Sequence, residues 1–138
     1  MRAPRDGGLR PLFHSRLKAE CQWSSIETGV ILEGVPDSEY CFKGGLQGWI
    51  EFKATPAWRV KLQPLQVAWI ARRARLGGRV HVAIRRAAIG PDELWLVQGR
   101  YVAELANEGL RSNAFSALSW TGGPSRWDWR AIRRELTR

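Results

Sequence analysis

The run Glu39-Tyr40-Cys41-Phe42-Lys43-Gly44-Gly45-Leu46-Gln47-Gly48-Trp49-Ile50-Glu51-Phe52-Lys53-Ala54 decides how this chain reads. Two strand-like stretches, Glu39–Lys43 and Gly48–Ala54, flank Gly44-Gly45-Leu46-Gln47, the pattern of an antiparallel hairpin with a glycine-containing loop. Side chains alternate across a strand, so Trp49, Glu51 and Lys53 share one face while Ile50 and Phe52 share the other. A loop, Thr55–Lys61, follows, and then a well-punctuated helix. Pro64 suits its first turn, Gly77-Gly78 suits its C-terminal cap, and Arg72, Arg73 and Arg75 complement the dipole of its last turns. Val80, Val82 and Ile84 then alternate as a strand. Strand, helix and strand in that order predict a parallel, right-handed crossover.

The remaining elements extend this core in both directions. Residues 1–8 read as a loose lead-in. Leu12, Phe13, Leu17 and Cys21 fall at helical spacing and predict a first helix over Leu9–Gln22. Val30-Ile31-Leu32 reads as extended, and Gly34-Val35-Pro36-Asp37 redirects the chain. Gly90-Pro91-Asp92 turns into a strand over Leu94–Gln98, followed by a helix over Tyr101–Glu108 that Gly109 stops. A final helix, Arg126–Leu136, places Trp129, Ile132 and Leu136 on one face. The 138 residues therefore predict one α/β domain, a mixed β-sheet core over 9–109 flanked by helices, with 110–138 as a helical tail.

Composition narrows the function. No apolar run approaches the roughly 18 residues a membrane span requires, and the basic N-terminus has no apolar stretch behind it to make a signal peptide. Cys21 and Cys41 are too few for a disulfide framework and show no zinc-ligand spacing. A cytoplasmic protein with reduced thiols is expected. Charge is more telling. The chain has 22 basic and 13 acidic residues, and up to Lys53 the two signs balance. The entire net charge of +9 lies beyond Lys53. An arginine-rich excess on one side is the footprint of a polyanion partner, because the guanidinium fork matches phosphate oxygens.

Against this basic background, one cluster is hard to explain as packing. Glu51 and Lys53 sit on the same face of a strand bracketed by Ile50 and Phe52, where charges are costly unless paired or ligated. Asp37 precedes the hairpin, which can bring it beside Glu51. Two converging carboxylates repel, and a divalent cation relieves the repulsion. A bare Glu-x-Lys is a common surface ion pair; what distinguishes this one is Pro36-Asp37, fourteen positions, an apolar strand and a crossover helix.

These residues resemble the PD-(D/E)XK nuclease superfamily, on Gly34-Val35-Pro36-Asp37 and Trp49-Ile50-Glu51-Phe52-Lys53. The continuation Leu62-Gln63-Pro64-Leu65-Gln66, Trp69 and Gly77-Gly78-Arg79-Val80 is similar to the virus-type replication-repair nuclease branch and its small phage members. The resemblance spans residues 14–98. It implies a restriction-endonuclease-like fold, with Asp37, Glu51 and the backbone carbonyl of Phe52 as ligands of Mg²⁺ (Mn²⁺ substituting) and Lys53 as the base or orienter. Gln66 matches the glutamine that opens the following helix and would hydrogen-bond the attacking water or a phosphate. The family also places a glutamate near the first helix; Glu27 is the preferred match and Glu20 its competitor.

The implied activity is a metal-dependent DNA endonuclease on branched DNA, with a four-way-junction resolvase as the leading case. It would act as a homodimer in the cytoplasm of a bacterium or a phage-infected host. A nicking, homing or restriction-type enzyme with sequence preference, and a non-catalytic nucleic-acid-binding module, are the rivals. DNA contacts are expected from Trp58, Arg59 and Lys61 in the loop beyond Lys53, with Trp58 stacking on a base or wedging at a branch point, and from Arg72, Arg73 and Arg75. Trp120, Trp127 and Trp129 read as a nucleic-acid arm, a dimer contact or the packing of a terminal helix. His14 and His81 have no sequence partner for catalysis, and His81 is expected under a helix.

Overall fold

A computed structural model describes residues 5–26, 33–87 and 90–138. In chain order the elements are α1 (Leu9–Arg16), β1 (Cys21–Ser25), β2 (Ser38–Phe42), β3 (Leu46–Thr55), α2 (Pro64–Arg75) and β4 (Val80–Arg86). They continue with β5 (Glu93–Gln98), a 3₁₀ turn (Gly99–Tyr101), α3 (Val102–Glu108), β6 (Leu118–Trp120) and α4 (Trp129–Thr137). The six strands form one mixed sheet in sequential order, flanked by the four helices. The expected extended run Val30-Ile31-Leu32 lies outside the described residues.

The hairpin forms as its sequence dictates, with a tighter turn. Gly44 and Gly45 both take left-handed backbone (φ 90° and 75°), which lets Leu46 and Gln47 join the ladder instead of the loop. Ser38 pairs with Ile50 and Phe42 with Leu46. The α2 crossover then returns β4 parallel to β3, from Trp49 opposite Val80 to Thr55 opposite Arg86. The β3–β4 pair is the sheet's parallel pairing; β1–β2, β2–β3, β4–β5 and β5–β6 are antiparallel.

Each face of the sheet buries its own apolar layer. Ile50 and Phe52 point to the side of α1 and α4, where they meet Phe13, Leu9, Trp127, Ile132 and Leu136. Val82, Ile84 and Val97 point to the side of α2 and α3, against Ile70, Val102 and Leu105. Burying each such side chain stabilises by about 1.5–3 kcal/mol.

The predicted first helix stops early. Leu17 ends it, Glu20 takes a left-handed turn (φ 55°), and Cys21 and Gln22 begin β1. Cys21 still meets the apolar layer, because it lies opposite Phe42 across the ladder. Part of the lead-in caps the first helix: the Asp6 carboxylate accepts from the backbone N–H groups of Gly8 and Arg10, capping α1 from outside it.

The expected helical tail instead completes the fold. β6 pairs with β5, and α4 packs across the sheet with Asp128 as its N-cap, accepting from Ala131 N at 3.0 Å. Tyr40 donates its hydroxyl to the Leu136 carbonyl at 2.6 Å, tying α4 to β2. The tryptophans here are packing residues. Trp127 is buried and Trp129 stands edge-on to Phe13, while their indole N–H groups donate to the carbonyls of Asp92 and Pro124. Both rings pack inside this chain, as the terminal-helix reading expects. Among the described residues, no helix is long and apolar enough to cross a membrane.

Candidate active site

Glu51 occupies the middle of β3 on the α2 side and is 2% exposed. Its Oε2 is held twice. Lys53 Nζ lies 3.4 Å away, and Gln66 Nε2 donates to it at 3.1 Å. Its Oε1 is buried with no hydrogen-bond partner among the described residues. Burial and the neighbouring Asp37 charge push the Glu51 carboxyl up to about 8, against the opposing pull of Lys53. A buried carboxylate oxygen without a donor is expensive. Here it sits beside a second acid.

Asp37 reaches the site from the residue before β2. Ser38 pairs with Ile50, so Asp37 falls alongside Glu51, and its Oδ2 accepts from the Phe52 backbone N–H at 3.0 Å. The chain reaches this position by crossing the first turn of α2. Gly34 allows the crossing: its φ is +86°, and a Cβ there would overlap the Leu65 backbone carbonyl. The Gly-Val-Pro-Asp segment is thus pinned between helix and strand.

Gln66 is committed at both ends of its amide. Its Oε1 accepts from the Gln63 backbone N–H at 2.9 Å, closing a capping box at the start of α2, and its Nε2 reaches Glu51. One side chain therefore starts the crossover helix and orients the buried carboxylate. Lys53 is half-buried, with 21% of its side chain exposed, so its ammonium stands between Glu51 and solvent.

The structure separates the two candidates for a further acid. Glu20 sits by the far end of the β1–β2 ladder, where its backbone carbonyl accepts from Lys43 N. The five residues of β2, a span of roughly 20 Å, separate Lys43 from Asp37. Its carboxylate faces Lys43 and Arg133, so Glu20 is not a ligand of this site. Glu27 lies outside the described residues. Among the described residues no group of three or more His, Cys, Asp or Glu side chains converges to hold a metal. Asp37 and Glu51 are the two acids that do converge, and the partnerless Glu51 oxygen beside them fits an oxygen-ligated divalent cation.

The six residues expected to contact DNA fall at opposite ends of α2. Trp58, Arg59 and Lys61 lie beyond β3, near the helix's N-terminus, and Arg59 and Lys61 are exposed. Arg72, Arg73 and Arg75 lie in its last turn. Arg73 is drawn inward: its guanidinium carbon is 4.5 Å from the Trp69 ring centre and 5.4 Å from that of Trp49, so it packs rather than reaching out.

Trp58 differs from expectation as well. It stands edge-on to Trp95, and the guanidinium carbons of Arg86 and Arg111 lie 3.6 and 4.0 Å from its ring centre. The ring face a base would stack on is already covered. Arg86 had a signal in the sequence, since it continues the Val82, Ile84 alternation on the face of Glu51 and Lys53. Arg111 had none, because its place depends on a loop folding back across the sheet.

The histidines serve the fold. His81 Nε2 is 2.9 Å from Glu135 Oε2 beneath α4, and His14 shares a hydrogen bond with Ser38 Oγ while stacking on Trp23. No protein-family model matches the chain, and no curated protein matches it.

Proposed function

We propose that this chain is a metal-dependent DNA endonuclease of the PD-(D/E)XK type, hydrolysing phosphodiester bonds on a restriction-endonuclease-like core. One observation carries the reading: a buried Glu51 with an unpartnered oxygen, beside Asp37 and Lys53, at the parallel β3–β4 pair of a basic protein. The large majority of buried side-chain oxygens have a hydrogen-bond partner, and a surface pair is not 2% exposed. The hairpin β2–β3 and the crossover through α2 agree with the core expected from the sequence resemblance.

Asp37, Glu51 and the backbone carbonyl of Phe52 would hold Mg²⁺ or Mn²⁺. A bound divalent ion supplies an activated water and polarises a phosphoryl oxygen. Lys53 then has two tasks. In the resting protein its ammonium favours the ionised form of Glu51 against burial and Asp37; with DNA present it would orient the nucleophile or neutralise the phosphate. Gln66 holds the Glu51 carboxylate in register with α2, which makes it a positioning residue.

Branched DNA, four-way junctions foremost, is the proposed substrate. Backbone shape is read by a basic face, and the arginine-rich excess beyond Lys53 supplies one. Paired cuts across a junction call for a two-fold homodimer. Fluorescent duplex, nicked, flap and four-way-junction DNAs incubated with Mg²⁺, Mn²⁺ or EDTA test this reading. Metal-dependent cleavage fastest on the junction is expected. Absence of cleavage on all four DNAs would overturn the enzyme reading, and equal rates on duplex and junction the branched-substrate reading.

A further inference from the structure

We propose that Arg111, stacked on Trp58, is a preformed contact for a DNA backbone phosphate beside the active site. This rests on the nuclease reading for its ligand but on separate residues for its observations. The guanidinium carbons of Arg86 and Arg111 lie 3.6 and 4.0 Å from the centre of the same indole ring. Trp58 thus carries two arginines.

The two arginines are not equivalent. Arg86 is paired with Glu93, is only 15% exposed in its side chain, and donates Nε–H to the Ala57 carbonyl at 3.1 Å. Its charge and one of its donors are used internally. Arg111 is exposed, and among the described residues its guanidinium has the Trp58 ring as a neighbour but no hydrogen bond or ion pair. A guanidinium stacked by its face keeps all its N–H donors around its edge, where a phosphate fork can meet them. Stacking also orders the long side chain before binding, which lowers the entropy lost on contact.

The loop that carries Arg111 is tied down locally. Leu110 N–H donates to the Trp58 carbonyl at 2.8 Å. Gly109 makes the approach possible, since a Cβ there would come within 2.6 Å of the Trp58 carbonyl oxygen, and its φ is +82°. The stack also faces the right way. Lys53 lies opposite Ile84 and Thr55 opposite Arg86, so Arg86 shares the face of Glu51 and Lys53 at the C-terminal ends of the parallel strands. Exposed Arg59 and Lys61 border the same end. A backbone passing Lys53 would meet Arg111 next.

The test is DNA binding by fluorescence anisotropy on a labelled four-way junction, with Ca²⁺ replacing Mg²⁺ and KCl varied. Arg111→Ala should weaken binding about tenfold and lower the slope of log affinity against log salt by about 0.9, one phosphate contact. Arg111→Lys should keep the slope but recover only part of the affinity, because an ammonium does not stack as a fork. Trp58→Leu should weaken binding with the slope kept; a thermal melt checks its folding, and exposed Arg111 keeps the test independent of that. Wild-type affinity and slope in Arg111→Ala, or no DNA binding by the wild type, would overturn the proposal. Cleavage in Mg²⁺ is scored separately. Binding through Arg111 without cleavage upholds the contact and removes the nuclease, while cleavage with Arg111→Ala binding normally does the reverse.

Discussion

Glu51 and Glu135 are both buried glutamates facing a cation-bearing neighbour, and they are opposites. Glu135 is 8% exposed and fully engaged: His81 lies 2.9 Å away, Gln98 donates at 3.2 Å, and Arg138 stands 3.6 Å from the other oxygen. The His81 hydrogen bond outweighs burial and holds the Glu135 carboxyl below its ordinary range. Glu51, more deeply buried, has one oxygen bare and a second acid beside it, and its carboxyl is pushed up to about 8. The first arrangement is complete as it stands. The second is completed by a proton shared with Asp37 or by a cation, and the metal reading rests on that contrast.

The contrast breaks most visibly under substitution. Glu135→Ala should destabilise the fold by about 2–4 kcal/mol, since it strips His81 and Gln98 of their partner under α4; urea denaturation at pH 8 reads this directly. Glu51→Gln should do the reverse at that pH, stabilising by on the order of 1–3 kcal/mol, because it removes a carboxylate whose ionisation the fold opposes. The pH dependences also run in opposite directions. Glu51 has a raised folded value, so its contribution is full below about 4.5 and is lost as pH rises through about 8. Glu135 has a lowered one, so its contribution is present above about 4.5 and is lost as pH falls below it. The stability difference between wild type and Glu51→Gln should therefore vanish near pH 4.5 and open by pH 8. A flat difference across that range would place Glu51 with Glu135 as an ordinary structural acid.

Adding metal should sharpen the comparison further. At pH 8, Mg²⁺ at ten to a hundred times its dissociation constant should stabilise the wild type by about 1.4–2.7 kcal/mol, a shift of several degrees in melting temperature. Glu51→Gln should show no such shift, and Glu135→Ala should keep it. The smallest expected effect is at Gln66. Gln66→Ala removes the capping box and one of the two partners of Glu51 Oε2, costing about 1 kcal/mol in denaturant.

Much of this was legible in the sequence where local signals and tertiary fate coincide. The hairpin, the α2 crossover and the shared face of Glu51 and Lys53 follow from alternation and glycine placement, and the structure holds all three. One local pattern misled. Cys21 continues the helical spacing of Phe13 and Leu17, yet the turn at Glu20 makes it a strand residue serving the same apolar layer. The tryptophan-rich end packs as its terminal-helix reading expects, and the sheet it packs on is what composition alone leaves open. Trp58 follows β3 in the sequence, but the arginines on its ring arrive from β4 and from the loop after α3. Such long-range arrivals leave no periodicity to read.

The most direct measurement is single-turnover cleavage of a four-way junction by wild type, Asp37→Asn and Glu51→Gln in Mg²⁺, with junction affinity measured in parallel in Ca²⁺. Each substitution removes a carboxylate charge with little change in volume. The account predicts a loss of at least about 10³ in cleavage rate for both, some 4 kcal/mol of barrier, with binding unchanged or tighter as negative charge leaves the groove. Wild-type Mg²⁺-dependent cleavage by both variants would contradict it.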